Sequence, residues 1–433
     1  MTRTKRSIRD CVRAVVVFTL ATIYELVFKH VFGLRTFFGT NVTDVGPSVK
    51  LDLGYANVLQ MKLILFSRYF FRSQTLFSGW HRRVEQAMVT RLRRSRIDTS
   101  KLVTRLTEVR AGEITADQFF KEYVMKGRPI VIRGGAAASE ACRTWDVEFF
   151  RSRYGDVPVQ ILDPGKEEFS GPLREVLDSQ GTDRRLYVLG TINLLRDHKE
   201  LIDQMGVLSY RKHMTRLPIS YVGSQLFLGV HHKSGSGWHC ATGSNLFFMV
   251  RGKKRWTFAS AEYTWFFHPL VNQTCQTLLS PMYLLLDRQY DLDYIRKYFP
   301  LFEFCPRQEV TLEPGDVLFN PAWNWHDVEN LSEESIAVSS RWIQPLRVSH
   351  NRFVEWCMLL SGYLNRRRFQ VLLNQSYTIT DENTREIYRN QDDRSDFGRP
   401  GSFGRMRKRY GIDVLRPAYS AAEARVMQEA ADV

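Results

Sequence analysis

Residues 234–256 read SGSGWHCATGSNLFFMVRGKKRW, a glycine-rich approach to an apolar run that ends in a basic turn. The run Asn245–Val250 has the composition of a buried strand, and Gly252 punctuates it before Lys253 and Lys254. In an extended chain residues i and i+2 share a face. His239 and Ala241 therefore look one way and Cys240 the other, which makes Cys240 a poor ligand for anything His239 binds. Eighty-seven residues after His239, the stretch 313–330 reads EPGDVLFNPAWNWHDVEN and ends near His326. A Pro314-Gly315-Asp316 turn leads into a short strand and then an aromatic approach through Trp323 and Trp325. A lone histidine is more often structural than a ligand. Two histidines in two such strands point to one shared pocket.

These two segments resemble the metal-binding strands of the JmjC and cupin-like Fe(II)/2-oxoglutarate oxygenases, in which His-x-Asp/Glu on one strand and a later His hold the iron. The resemblance covers about residues 104–345. It implies a mainly β (α+β) fold, a double-stranded β-helix (jelly-roll or cupin) barrel with flanking helices; the basic, apolar stretches ahead of it read separately as N-terminal membrane-seeking helices added to the barrel. It also implies His239 and His326 as metal ligands and Asn245, six residues after the first histidine, as a cofactor-side residue. Lys254 and Ser236 become partners of the 2-oxoglutarate carboxylate. Each has a plainer alternative: Asn245 a polar residue at a strand start, Lys254 a solvated hairpin charge, Ser236 a loop residue.

The departure from that family pattern is Ala241, which stands where the carboxylate belongs. A methyl group offers iron neither charge nor lone pair. Two outcomes follow from the chemistry. In the first, no residue is a standard catalytic residue, no catalytic cofactor is expected, and the domain persists as a scaffold or accessory subunit, or as a 2-oxoglutarate or peptide binding module. In the second, Fe(II) and 2-oxoglutarate bind with an exogenous anion filling the gap, as in the halogenases of a related fold. Rescue by His231, His232, Asp327 or Glu329 is a third, smaller possibility, and strand parity turns Asp327 away from His326.

The 433 residues carry 44% hydrophobic and 25% charged residues and a net charge of +15, values of a globular chain. Residues 1–110 hold 20 Lys and Arg against 7 Asp and Glu, so most of the excess lies in the first quarter. Such a leader suits an anionic membrane, an acidic partner or organelle import. No nucleic-acid motif accompanies it, and nucleic acid is not expected as a partner. Six cysteines without a C-x-x-C pair argue against zinc or a disulfide framework. Sequons at Asn41, Asn272, Asn330 and Asn374 argue only weakly for a lumenal protein.

Four regions result. Residues 1–35 join a positive start to an apolar run, Ala14–Tyr24, interrupted further on by Glu25, Lys29 and His30. An anchor or complex-packed helix, a cleaved presequence and a buried soluble helix all fit it. Residues 36–103 are a basic amphipathic helical segment, either interfacial or packed on the main domain. Residues 104–345 are the cupin-like domain. It opens with a Thr115-capped helix, a strand at 128–134, a helix at 145–155 stopped by Gly155, and a strand at 157–162. Residues 346–433 are a helical and extended C-terminal segment. The expected setting is a membrane-associated complex with other protein subunits and lipid at the N-terminus, mitochondrial first and endoplasmic-reticulum second.

Overall fold

The computed structural model describes residues 51–342, apart from 72–75, 163–168, 217–220, 233, 242, 270–276 and 285–291. The readings for residues 1–35 and 346–433 therefore lie outside the described residues. In chain order the strands are β1 Val103–Arg105, β2 Glu108–Arg110, β3 Ile130–Arg133, β4 Pro158–Leu162, β5 Phe169–Pro172, β6 Tyr187–Thr191, β7 Tyr221–Gly229, β8 Gly235–Ala241, β9 Ser244–Arg251, β10 Lys254–Ala259, β11 Thr277–Leu279, β12 Arg307–Leu312, β13 Val317–Asn320, β14 Trp325–Asn330 and β15 Ser335–Trp342. They form two mixed sheets, ordered β1-β12-β10-β14-β8-β11 and β2-β3-β13-β9-β15-β7-β6-β4-β5.

The sheets face each other. Trp256, Phe258 and Val328 of the first pack with Phe247, Met249, Leu318 and Ala337 of the second. The outer face of the nine-stranded sheet is covered by short helices around Trp145, Phe150, Leu194 and Leu201. The outer face of the six-stranded sheet is covered by two longer helices, α1 (Tyr55–Phe71) and α2 (Ser78–Arg94). Because β9 is covered on both faces, its burial is continuous rather than alternating.

Local sequence explains the entry. Thr115 and Gln118 form a reciprocal capping box at the start of the helix Ala116–Phe119. Asp146 caps Val147–Tyr154 through the Phe149 amide. That helix does end at Gly155, but not through a left-handed turn, since its φ is −54°. A Cβ there would lie 2.6 Å from the Arg151 carbonyl, so close approach is the reason for glycine.

α1 is a packed helix. Val58, Met61 and Leu65 lie on one stripe and join Val84, Met88 and Leu92 of α2 against Trp238, Cys240 and Trp325. Among the described residues no helix is long and apolar enough to cross a membrane. The membrane-seeking reading thus has no support from α1 or α2, whose apolar stripes already have a protein partner.

Candidate functional site

The inner face of the six-stranded sheet is ordered in rows. β14 pairs antiparallel with both β8 and β10, placing His239, His326 and Phe258 side by side. The register between β8 and β14 slips after His326, so that Ser236 faces Val328. Two residues of β8 oppose one of β14, which is a β-bulge. Without it, Ser236, three residues from His239, would lie on the opposite face. With it, Ser236, Val328 and Trp256 form the second row, and Lys254 with Asn330 the third. Trp238 and Cys240 point outward into the cluster beneath α1 and α2, and burial pushes the Cys240 thiol well up.

The two imidazoles have centroids 4.1 Å apart, inclined at 55°. His239 Nδ1 lies 2.7 Å from the Gly237 carbonyl and His326 Nδ1 lies 2.9 Å from that of Asn324. A carbonyl only accepts, so each Nδ1 carries a proton, and a neutral ring then presents the lone pair of its Nε2. Trp256 stacks on His326 at 5.3 Å. His326 is held neutral, its pKa well below the usual value through burial first and then the neighbouring His239.

The facing sheet completes the site. Pairings Asn320 with Asn245 and Asn245 with Arg341 set these three in one row. Asn320 Nδ2 reaches His326 Nε2 at 3.4 Å, so this row lies over the histidines. The Oδ1 atoms of Asn245 and Asn320 are buried and have no hydrogen-bond partner among the described residues. Arg341 donates to Gln225 at 2.9 Å, and its charge disfavours a proton on His326. Ala241 shares the face of His239, and its carbonyl accepts from Trp323 at 2.7 Å. That bond ties the β13–β14 loop, where Trp323 has φ 64°, to the strand beside the missing ligand.

Lys254 is not a solvated hairpin charge. It is fully buried, and its Nζ donates to Tyr187 Oη at 3.3 Å and to Asn330 Oδ1. Burying an ammonium costs several kcal/mol unless polar partners surround it. Ser236 lies in a strand and is buried, as is Asn245. Thus His239, His326, Asn245, Lys254 and Ser236 all face the space between the sheets. Tyr187 and Arg341 join them, and the sequence offered no local signal for either.

The donor set does not fit Fe(II) as the resemblance implies. Among the described residues no group of three His, Cys, Asp or Glu is arranged to hold a metal. Glu329 is engaged outward by Arg255, and His231 bonds Ser179 at 3.0 Å. Position 241 supplies no charge, and Arg341 brings a positive one to the facing row. At the other end the fit is good: a buried ammonium with the Tyr187 and Ser236 hydroxyls suits a carboxylate.

A cupin-like domain family model matches residues 116–346, more than half of the chain. The chain is 25% identical over 256 residues to the Arabidopsis thaliana protein "Lysine-specific demethylase JMJ21", covering 54% of this chain and 25% of that one. It is 36% identical over 103 residues to human "HSPB1-associated protein 1", covering 24% of this chain and 20% of that one, and 37% identical over 103 residues to the rat protein of that name. The chain thus spans a quarter or less of the length of these curated relatives.

Proposed function

Because the chain belongs to the cupin-like (JmjC) domain family, we propose that its sandwich is a double-stranded β-helix serving as a binding scaffold, not a standard Fe(II)/2-oxoglutarate dioxygenase. The observation that carries this reading is one row of side chains. His239 and His326 converge, Ala241 leaves the third ligand out, and Arg341 sits opposite. A divalent ion placed there meets two imidazoles, which bring no negative charge, and a nearby cation, with no anion among the described residues to offset its charge in a low-dielectric interior. The Lys254 end retains the groups that hold a carboxylate, so a dicarboxylate such as 2-oxoglutarate remains a ligand of the scaffold.

The test is release of labelled carbon dioxide from 2-oxoglutarate by the full chain with Fe(II). The expected rate is that of the buffer blank. A rate above blank that depends on His239 and His326 refutes the scaffold reading.

A second reading has its own support. The short side chain of Ala241 and the Arg341 guanidinium in the facing row together suit an exogenous anion, which would supply the missing negative ligand. The assay separates the two: turnover that appears with chloride and vanishes with nitrate favours this enzyme over the scaffold. The basic first quarter of the chain supports a further proposal, that the scaffold is an accessory subunit of a membrane-associated complex, mitochondrial before endoplasmic-reticulum. Recovery of the protein only in soluble cytosol refutes that location.

A further inference from the structure

A second polar site lies on the other side of the six-stranded sheet. On α2, His81 and Glu85 are four residues apart and stand one above the other. Both are more than nine-tenths buried. The corner after Phe267 turns through a left-handed residue, His268, at φ 48°, which aims its ring at α2. His268 Nε2 lies 2.5 Å from Glu85 Oε1, and its ring meets that of His81 edge-on at 5.0 Å. These three side chains form the floor of a cavity of about 670 Å³, walled by α2 and by a third helix, α3 (Leu292–Tyr298). A volume of this size is that of a small-molecule site.

The rim is cationic: Arg82 and Arg93 from α2, Arg296 and Lys297 from α3. Among the described residues Glu85 is the one acid in the lining, and it is engaged by His268. Glu303 stands outside it, at 3.0 Å from Arg296. Arg82 and Arg93 make no ion pair among the described residues, whereas Arg91, one face away, is bound to Asp52 at 2.6 Å. Eleven residues separate Arg82 from Arg93, about 16 Å along a helix. The cations are thus spread around an elongated trough, while the hydrogen-bonding groups sit at its base.

We propose that this cavity binds a small molecule carrying several phosphoryl groups on a hydroxylated centre, a phosphorylated polyol, either free or as a lipid headgroup. Guanidinium groups match phosphate oxygens in pairs, and the spread of cations asks for more than one phosphoryl group. Glu85, whose Oε1 already meets His268, can accept from a hydroxyl at the floor, which the rim arginines, donors only, cannot do. This site shares no residue with the space around His239 and stands whichever function that space has.

The experiment uses the full chain with two probes: inositol hexakisphosphate in calorimetry, and phosphatidylcholine vesicles with and without phosphatidylinositol bisphosphate in co-sedimentation. Binding of either probe is expected, weakened at least tenfold in Arg82→Glu/Arg93→Glu and within about twofold of wild type in Arg83→Glu/Arg94→Glu, which changes net charge equally on the same helix. All four side chains are exposed, so both variants keep the fold, checked by their melting. Binding of the soluble probe alone assigns a free ligand, and binding to vesicles alone a lipid headgroup. Absence of both, or equal loss in the two variants, overturns the proposal.

Discussion

Restoring a carboxylate by Ala241→Asp puts the site's missing charge back on the face it left. Position 241 lies two residues from His239 on β8, and the Trp323 amide holds its carbonyl in place, so the new side chain enters beside the imidazoles. A divalent ion between rings whose centroids are 4.1 Å apart would lie within bonding reach of it. Each unit-charge pair at about 4 Å contributes about 4 kcal/mol at an effective dielectric near 20, about a thousandfold in Kd. Arg341 opposes part of this gain by pairing with the new aspartate. Arg341→Asn alone should leave metal binding weak, and Ala241→Asp/Arg341→Asn should bind more tightly than Ala241→Asp, a coupling that a double-mutant cycle isolates. Anaerobic calorimetry with Fe(II), or with Co(II) in its place, measures it. Wild type binding within tenfold of Ala241→Asp would show that the missing carboxylate is not what limits the site. No binding by the double variant would show that the two imidazoles are not a preserved half-site.

Three further outcomes follow from named contacts. Gly252→Ala should cost about 2–3 kcal/mol in chemical denaturation, because φ is +77° and a Cβ would lie 2.0 Å from the Glu334 carbonyl oxygen; an unchanged midpoint would refute this. Asp316→Ala should cost about 2–4 kcal/mol, since its buried carboxylate pairs with Arg133 and accepts from the Gly134 amide at 3.2 Å and the Glu313 amide at 2.8 Å; a loss under about 0.5 kcal/mol would mean that water replaces it. Lys254→Met should cost the ligand-free protein about 1–3 kcal/mol, because the buried Asn330 Oδ1 and Tyr187 hydroxyl lose their donor, and should abolish the rise in Tm on adding 2-oxoglutarate; a rise retained in the variant removes Lys254 from that ligand.

The chain's own pattern carried a good part of this. Two-residue periodicity settled that His239 and position 241 share a face while Cys240 turns away, and the Thr115 cap and apolar run Ile130–Ile132 marked the domain's opening. These are local properties, set by neighbouring dihedrals and burial within one element. What required the tertiary structure came from pairing between distant strands. The β8 bulge brings Ser236 onto the face of His239, although parity alone puts it opposite. Arg341 stands over the histidines because β15 pairs with β9 and the two sheets face each other, and no motif near Arg341 announces it. Lys254 reads as a carboxylate partner by resemblance and as a hairpin charge by local sequence; its burial comes from Tyr187 and Asn330 on other strands. His81, Glu85 and His268 meet only because α2 packs on the outer face of the sheet. A short window of sequence determines which way a side chain points from its own backbone. Long-range register and layer packing decide what it points at.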